Sequence, residues 1–343
     1  MSSSRNMMKS LFKAGMLLSV LLVAPSLLLG DDQYWNPTTT KQGAGSGVWA
    51  TDAGAWANTS AGTTNPIPWV NGNNASFTLN SGVNTGTVNS VTAGRLNFYQ
   101  GTYVFNPGTG PLTISGPLTN SESTVTFNTD VVMSSDQNWD VRSLTLIKGT
   151  LTGPYTLKKT GAVSPALVIS NANNNMAGIL IDSGNVNAYM GGNALGGSGS
   201  TITMGSPAQG LVAKLSINPL LTQPETTWAV GPVIVNGYGE VSFISDGTKT
   251  NIVNFGALGR SNRGVIGLRQ TAGNMDVRQK ITFSNGNQIC VNGMLPPWVV
   301  TPASGDFLVY DGLVKNATYK TATNTWTSSD IVQNSTAQSL AGS

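Results

Sequence analysis

The chain has 343 residues, of which only 10% are charged, with eighteen Lys and Arg against fifteen Asp and Glu and no histidine. The missing imidazoles remove the usual general base, the commonest metal ligand and every His-dependent catalytic triad. One cysteine, Cys290, excludes an internal disulfide framework.

The chain opens MSSSRNMMKSLFKAGMLLSVLLVAPSLLLGDD, where Arg5, Lys9 and Lys13 precede an apolar run from Met16 to Leu29 interrupted by Ser19 and Pro25. Basic, apolar and small residues in that order predict a signal peptide over 1–30, cleaved after Ser26 or Gly30. A retained anchor is the competing reading, but a spanning helix needs about 20 apolar residues and Pro25 stands inside the run. Cleavage would remove three basic and no acidic residues, leaving a neutral mature chain with fifteen of each sign. The pI near 8.9 therefore reflects the leader and gives no reason to expect nucleic acid as a partner.

Residues 31–86 carry Trp35, Trp49, Trp56 and Trp69, spaced by Gly, Thr and Asn. A strand solenoid has an open end, and bulky aromatic residues there would close it and hide the first strand edges, so the segment is read as a cap. The same four indoles could instead form a platform on which sugar rings stack.

From 87 to 295 short apolar runs follow one another, among them Leu96 to Tyr99, Tyr103 to Phe105, Val125 to Phe127, Ile179 to Ile181, Val233 to Val235 and Ile281 to Phe283. Turn formers separate them, including Asn106-Pro107-Gly108, Asn185 and Asp246-Gly247. Apolar residues alternate with Thr, Ser and Asn, so one face of each strand can enter a narrow core while the other meets water. Ile179 and Ile181, for instance, share one side and Leu180 takes the other. No segment beyond the leader has a helical period, and helix content should be close to nil. At about 20 to 25 residues a coil, the region would hold roughly nine or ten coils.

The stretch Leu157 to Met204 carries a more specific pattern. A Lys-Thr-Gly turn at Lys159 to Gly161 is followed by an apolar strand ending in Ser-Asn-Ala-Asn at Ser170 to Asn173. Gly178, Ile179, Ile181 and Gly184 come next, then Asn-Ala-Leu-Gly at Asn193 to Gly196. In that order these motifs resemble the autotransporter-associated β-strand repeat of bacterial surface passengers. The sequence departs from that repeat after Gly161, where Val163, Ser164 and Pro165 replace a compact Gly-Xaa-Leu step. The resemblance implies an exported, all-β, right-handed parallel β-helix; it supplies neither a ligand nor a reaction.

Residues 296–343 begin Pro-Pro-Trp and read as a small closing segment and tail, with Phe307, Tyr310 and Tyr319 as its candidate core. The final residues, QNSTAQSLAGS, lack the terminal aromatic expected of an outer-membrane barrel. The chain thus resembles a passenger without its translocator, which would need a separate secretion partner to reach the cell surface and would otherwise stay in the periplasm.

Candidate chemistry is sparse. Asn128-Thr129-Asp130 matches a polygalacturonase motif by letters, but the Gly-His-Gly and Arg-Ile-Lys motifs of that family are missing, and the paired aspartates Asp31-Asp32 lie beside the leader. Glycoside hydrolysis needs two carboxyl groups facing one sugar bond, and Glu122, Glu225, Glu240 and the scattered Asp residues have no spacing that enforces this. Gly191 to Gly199 lacks the Lys-Ser or Lys-Thr of a phosphate loop and the Asp of a calcium repeat. Cys290 lies in an apolar alternation and reads as a small packed side chain. The densest charge feature is basic, Arg260, Arg263, Arg269 and Arg278 with Lys280, interleaved with Asp276. It is either a solvated face or a site for anionic sugars or phosphates.

The expectation is a non-enzymatic, secreted surface or extracellular rod, an adhesin, spacer or matrix component, with no cofactor, no metal, no nucleic-acid partner and no stable transmembrane segment after processing. Its ligand is unidentified, with polysaccharide the candidate. The alternative is a carbohydrate-binding or degenerate polysaccharide-active β-helix protein.

Overall fold

The structure is a computed structural model. It describes residues 30–317 except 39–44, 64, 79–81, 162–163, 165, 208–210, 220–221, 245–246, 272–274, 276 and 303–305. The expected signal peptide up to Leu29, Asp246, Asp276, Tyr319 and the tail lie outside the described residues. The chain is 55% strand and 2% helix and winds into a β-solenoid of about 8 turns.

Each coil contributes up to three short strands, and each strand pairs in parallel with its counterparts one coil before and one coil after. The first stack begins at Gly47–Trp49 and passes through Thr124–Phe127, Leu167–Ile169 and Ala213–Ile217 to Val265–Gln270 and Val299–Val300. The second runs from 91–93 through Val131–Met133 to 175–176 and is continued, through an isolated bridge between Gly192 and Trp228, by a separate three-stranded sheet of Glu225–Val230, Thr250–Phe255 and Gln279–Phe283. The third begins at Asp32–Trp35 and runs through Leu96–Phe98, Gln137–Val141 and Thr201–Met204 to Leu258–Arg260.

Constant register turns the two-residue strand period into columns that run through the whole stack. Phe105, Phe127, Ile147, Ile169, Ala188, Ile217 and Phe243 lie directly above one another in the first stack, all buried. In the third stack Ala75, Leu96, Leu118, Trp139, Lys159, Ile181, Met204 and Val235 do the same. Ile179 and Ile181 are buried and Leu180 is half-buried, as their alternation requires.

Corners break the backbone ladder, and Asn and Asp side chains supply the missing acceptors. Asn89 Oδ1 accepts the Thr109 N–H at 3.0 Å, Asp130 Oδ1 that of Thr150 at 2.7 Å and Asp136 Oδ1 that of Thr156 at 2.8 Å. This explains the abundance of Asn in a chain with few charges.

Both ends are covered. Asp32–Trp35 pairs antiparallel with Gly54–Ala57, which pairs antiparallel with Ile67–Pro68 across the first coil. Beneath them Trp35, Trp49, Trp56 and Trp69 form one cluster with ring centroids 4.6 to 5.3 Å apart, continued by Phe77, Phe98, Phe105 and Phe127. At the other end a hairpin of Leu308–Tyr310 and Val314–Asn316 sets the Tyr310 ring against Gly286. A Cβ at Gly286 would sit 2.3 Å from that ring, so glycine is needed there. The Tyr310 hydroxyl donates to the Phe283 carbonyl at 3.1 Å.

Several expectations need correction. There are about 8 turns rather than nine or ten, because the later coils are longer. The step is 19 residues from Leu167 to Val186 (186 − 167) but 29 from Val186 to Leu215 (215 − 186). Asn106-Pro107-Gly108 does not end a strand: Thr102–Ile114 bends there and keeps pairing, with a register shift opposite Val88 and Asn89. Asn185 lies inside Gly184–Ala188. Cys290 follows a single helical turn, Gly286–Ile289, and is half-buried rather than part of a strand. Phe307 is exposed and does not join the closing core, whereas Tyr310 is buried.

Candidate functional site

The four tryptophans expected as a sugar platform present no indole face to solvent. Trp35 and Trp69 are 1% exposed, Trp49 and Trp56 fully buried. Inward columns at the end of a solenoid hold whatever closes it, so aromatic bulk here fills core. Trp69 Nε1 donates to the Thr92 carbonyl at 3.1 Å, while the Trp49 and Trp56 N–H groups have no hydrogen-bond partner among the described residues.

The expected arginine cluster is also dispersed, because a coil carries neighbours in sequence around the axis. Arg260 ends the third stack over the Trp298 ring at 5.8 Å, and Arg263 sits in a left-handed turn conformation at φ 59°. Arg269 lies in the first stack, paired to Glu240 at 3.5 Å. Arg278 donates to the Thr248 carbonyl at 3.1 Å, and Lys280, in the second stack, faces Glu225 at 3.9 Å.

Carboxylates serve the scaffold. In Asn128-Thr129-Asp130, Asn128 donates to Asn106 Oδ1 at 2.8 Å, Thr129 is buried and Asp130 caps the corner already described. Asp182 pairs with Lys158 at 3.3 Å and Asp140 with Arg142 at 3.0 Å. Burial alone would raise the Glu240 carboxyl, but the Ser242 hydroxyl at 2.7 Å, Lys214 at 3.3 Å and Arg269 together hold it below its ordinary range. Burial raises the Cys290 thiol, which disfavours the thiolate. Among the described residues no group of three or more His, Cys, Asp or Glu could hold a metal ion, and no helix is long and apolar enough to cross a membrane.

The functional group that sequence reading missed is Lys159. Placed in an inward column between Trp139 and Ile181, it is fully buried. Its ammonium donates to the carbonyls of Thr160 at 2.6 Å, Val141 at 3.3 Å and Ser183 at 3.5 Å. Burial pulls its pKa down from 10.5 to about 8, with the Asp140 charge opposing the shift. The Lys-Thr-Gly turn signal marked its position but not its direction.

A row of polar residues lies on the outer side of the third stack near its N-terminal end, with Ser76 in it buried. It runs Tyr34, Ser76, Asn97, Thr119, Asp140, Thr160, one residue per coil. Asp32, Asn74 and Arg95 begin the adjacent row, and Tyr99 follows Phe98 at the strand end, 51% exposed. Beside these rows a corner groove of about 440 Å3 is lined by Gly72, Gly94, Arg95, Gly116, Pro117 and Asp136, among others. Its glycine floor is enforced by close stacking: a Cβ at Gly94 would lie 2.5 Å from the Gly72 carbonyl, and one at Gly116 2.0 Å from that of Gly94. A second groove, of about 580 Å3, opens where Asn193 to Gly199 runs as turns over Met176, and no ionisable side chain lines it.

No family model matches this chain, and neither a curated protein nor a solved structure is detectably similar to it.

Proposed function

We propose that this chain is an exported, non-enzymatic passenger of the autotransporter-associated β-strand repeat type, a stiff rod that works by displaying its outer rows at the cell surface or outside the cell. The observation that carries this reading is the engagement of its ionisable groups. Asp130 and Asp136 cap corners, Asp182 and Glu240 are held in ion pairs between coils, and Asp140 pairs with Arg142 two residues along the same coil, so these carboxylates are committed to the scaffold. General acid–base work would need two groups converging on one point with separated pKa values. The repeat motifs from Lys159 to Gly196 support the family assignment, and the basic and apolar order of residues 1–30 supports export.

Intact-mass measurement of protein recovered from outside the inner membrane, together with a turnover screen on polysaccharides, tests this. The expected result is a mature N-terminus between Leu27 and Gln33 and no turnover. Retention of Met1 to Leu29 would defeat export. Sustained glycan cleavage abolished by Asp130→Asn or Asp182→Asn would defeat the non-enzymatic reading.

A carbohydrate-binding reading is favoured by a different observation from the one the tryptophans suggested, namely the outward Tyr, Asn and Thr rows of the third stack beside Arg95. It refines the passenger reading by giving the displayed surface a ligand.

A further inference from the structure

We propose that the third-stack face near the N-terminal end, with the corner groove beside it, binds an extended acidic glycan, a chain of sugars bearing carboxylates. This rests on the reading of the protein as a displayed surface.

Charge singles out the position. On this face Arg142 is paired with Asp140 and Lys158 with Asp182, while Asp32 and Asp136 stay exposed and keep their charge, accepting hydrogen bonds from Asn74 at 3.0 Å and from the Thr156 N–H. Arg95 has no ion pair among the described residues, and its buried Nε has no hydrogen-bond partner. A half-buried guanidinium lining a groove is suited to a carboxylate, which it can grip with two parallel N–H bonds in a setting where water screens them little.

Shape and spacing point to a sugar chain. Neighbouring coils are separated by about 4.7–4.9 Å, so Asn97, Thr119 and Asp140 repeat at that interval up the face. A 1,4-linked pyranose chain advances by a similar distance per ring, which would bring a hydroxyl to each coil in turn. Tyr99 is half exposed at the margin, where its ring can cover the apolar side of a sugar. Tyr34 lies close by: its phenol is raised by burial and then by Asp32 and Tyr99. An acidic peptide could supply the same carboxylates, but the strands here are paired on both sides and offer it no edge to extend. Sugar hydroxyls need only side chains.

Calorimetric titration of the full chain with hexagalacturonate, cellohexaose and hexaglutamate tests the proposal. Hexagalacturonate alone should bind, with affinity falling at least tenfold in Arg95→Gln and in Tyr99→Ala, and falling as salt is raised. Both variants should keep the parent's circular dichroism and thermal midpoint, and Lys148→Gln, an exposed cation elsewhere, should bind like the parent. The proposal is overturned if hexagalacturonate fails to bind at millimolar concentration, if cellohexaose or hexaglutamate binds equally well, or if folded Arg95→Gln binds unchanged. A chain displayed on cells that binds no hexagalacturonate would sink the ligand and leave the passenger reading standing.

Discussion

Replacing Lys159 with methionine keeps an unbranched side chain of similar volume, one atom shorter, and removes the charge from the core. In the native chain the ammonium is fully buried and its pKa is pulled down from 10.5 to about 8. A base whose folded pKa lies below its unfolded value binds fewer protons in the folded state, so stability rises with pH between the two values. The gap corresponds to about 3 kcal/mol at about 1.36 kcal/mol per tenfold. That penalty is fully present below about pH 8 and relieved as pH approaches 10.5. Going from pH 7 to pH 10 should recover about 2.5 kcal/mol of it by the same linkage. At pH 7 the Lys159→Met variant escapes the penalty but loses donors to the carbonyls of Val141, Thr160 and Ser183, each bond contributing about 0.5–1.5 kcal/mol net. The two changes roughly cancel at neutral pH, so the informative quantity is the slope. Urea unfolding of both proteins at pH 7 and pH 10 isolates it, because groups such as Tyr34 titrate in both. The stability difference, parent minus variant, should shift toward the parent by about 2.5 kcal/mol between the two pH values. An unchanged difference would show that Lys159 titrates alike in the folded and unfolded chain and is not desolvated in the core.

Three further outcomes are expected. Ile181→Asp places an unpaired carboxylate in the third-stack column and should cost several kcal/mol, whereas Asn185→Asp, half-buried and opposite Lys214, should stay within about 1 kcal/mol; equal costs in urea unfolding would refute the register. Trp49→Ala should lower stability by about 3–5 kcal/mol, since that indole touches Trp56, Trp69, Phe77 and Phe105, and a thermal midpoint unchanged from the parent would contradict the cap. Asp130→Ala removes one corner acceptor and should cost about 1 kcal/mol while leaving the circular dichroism spectrum unchanged; the Thr150 amide should exchange faster with solvent, and unaltered exchange there would remove the capping role.

The solenoid was legible because each strand needs only a local pattern. Val125 to Phe127 and Ile202 to Met204 alternate cleanly between turn formers, and each pairs with a coil of the same kind. Glu225–Val230 escaped notice because its inward positions are Thr226, Trp228 and Val230, an alternation that begins on a hydroxyl. Corners were harder: Pro107 cannot donate a ladder bond, so Asn106-Pro107-Gly108 reads as a stop, yet the strand bends there and goes on pairing. Functional surfaces were least legible. Sequence proximity grouped Arg260, Arg263, Arg269 and Arg278, but one coil's circumference separates them. The tryptophan spacing was visible, while the inward direction that makes these residues core was set by pairing. Arg95, with no charged neighbour in the sequence, gave no signal, because its setting is built by coils about 20 residues away on either side.

Protease treatment of intact cells tests the displayed-passenger account most directly. Digestion of the chain by external protease while the outer membrane remains closed is the predicted result. Protection until that membrane is opened would place the protein in the periplasm and contradict the account.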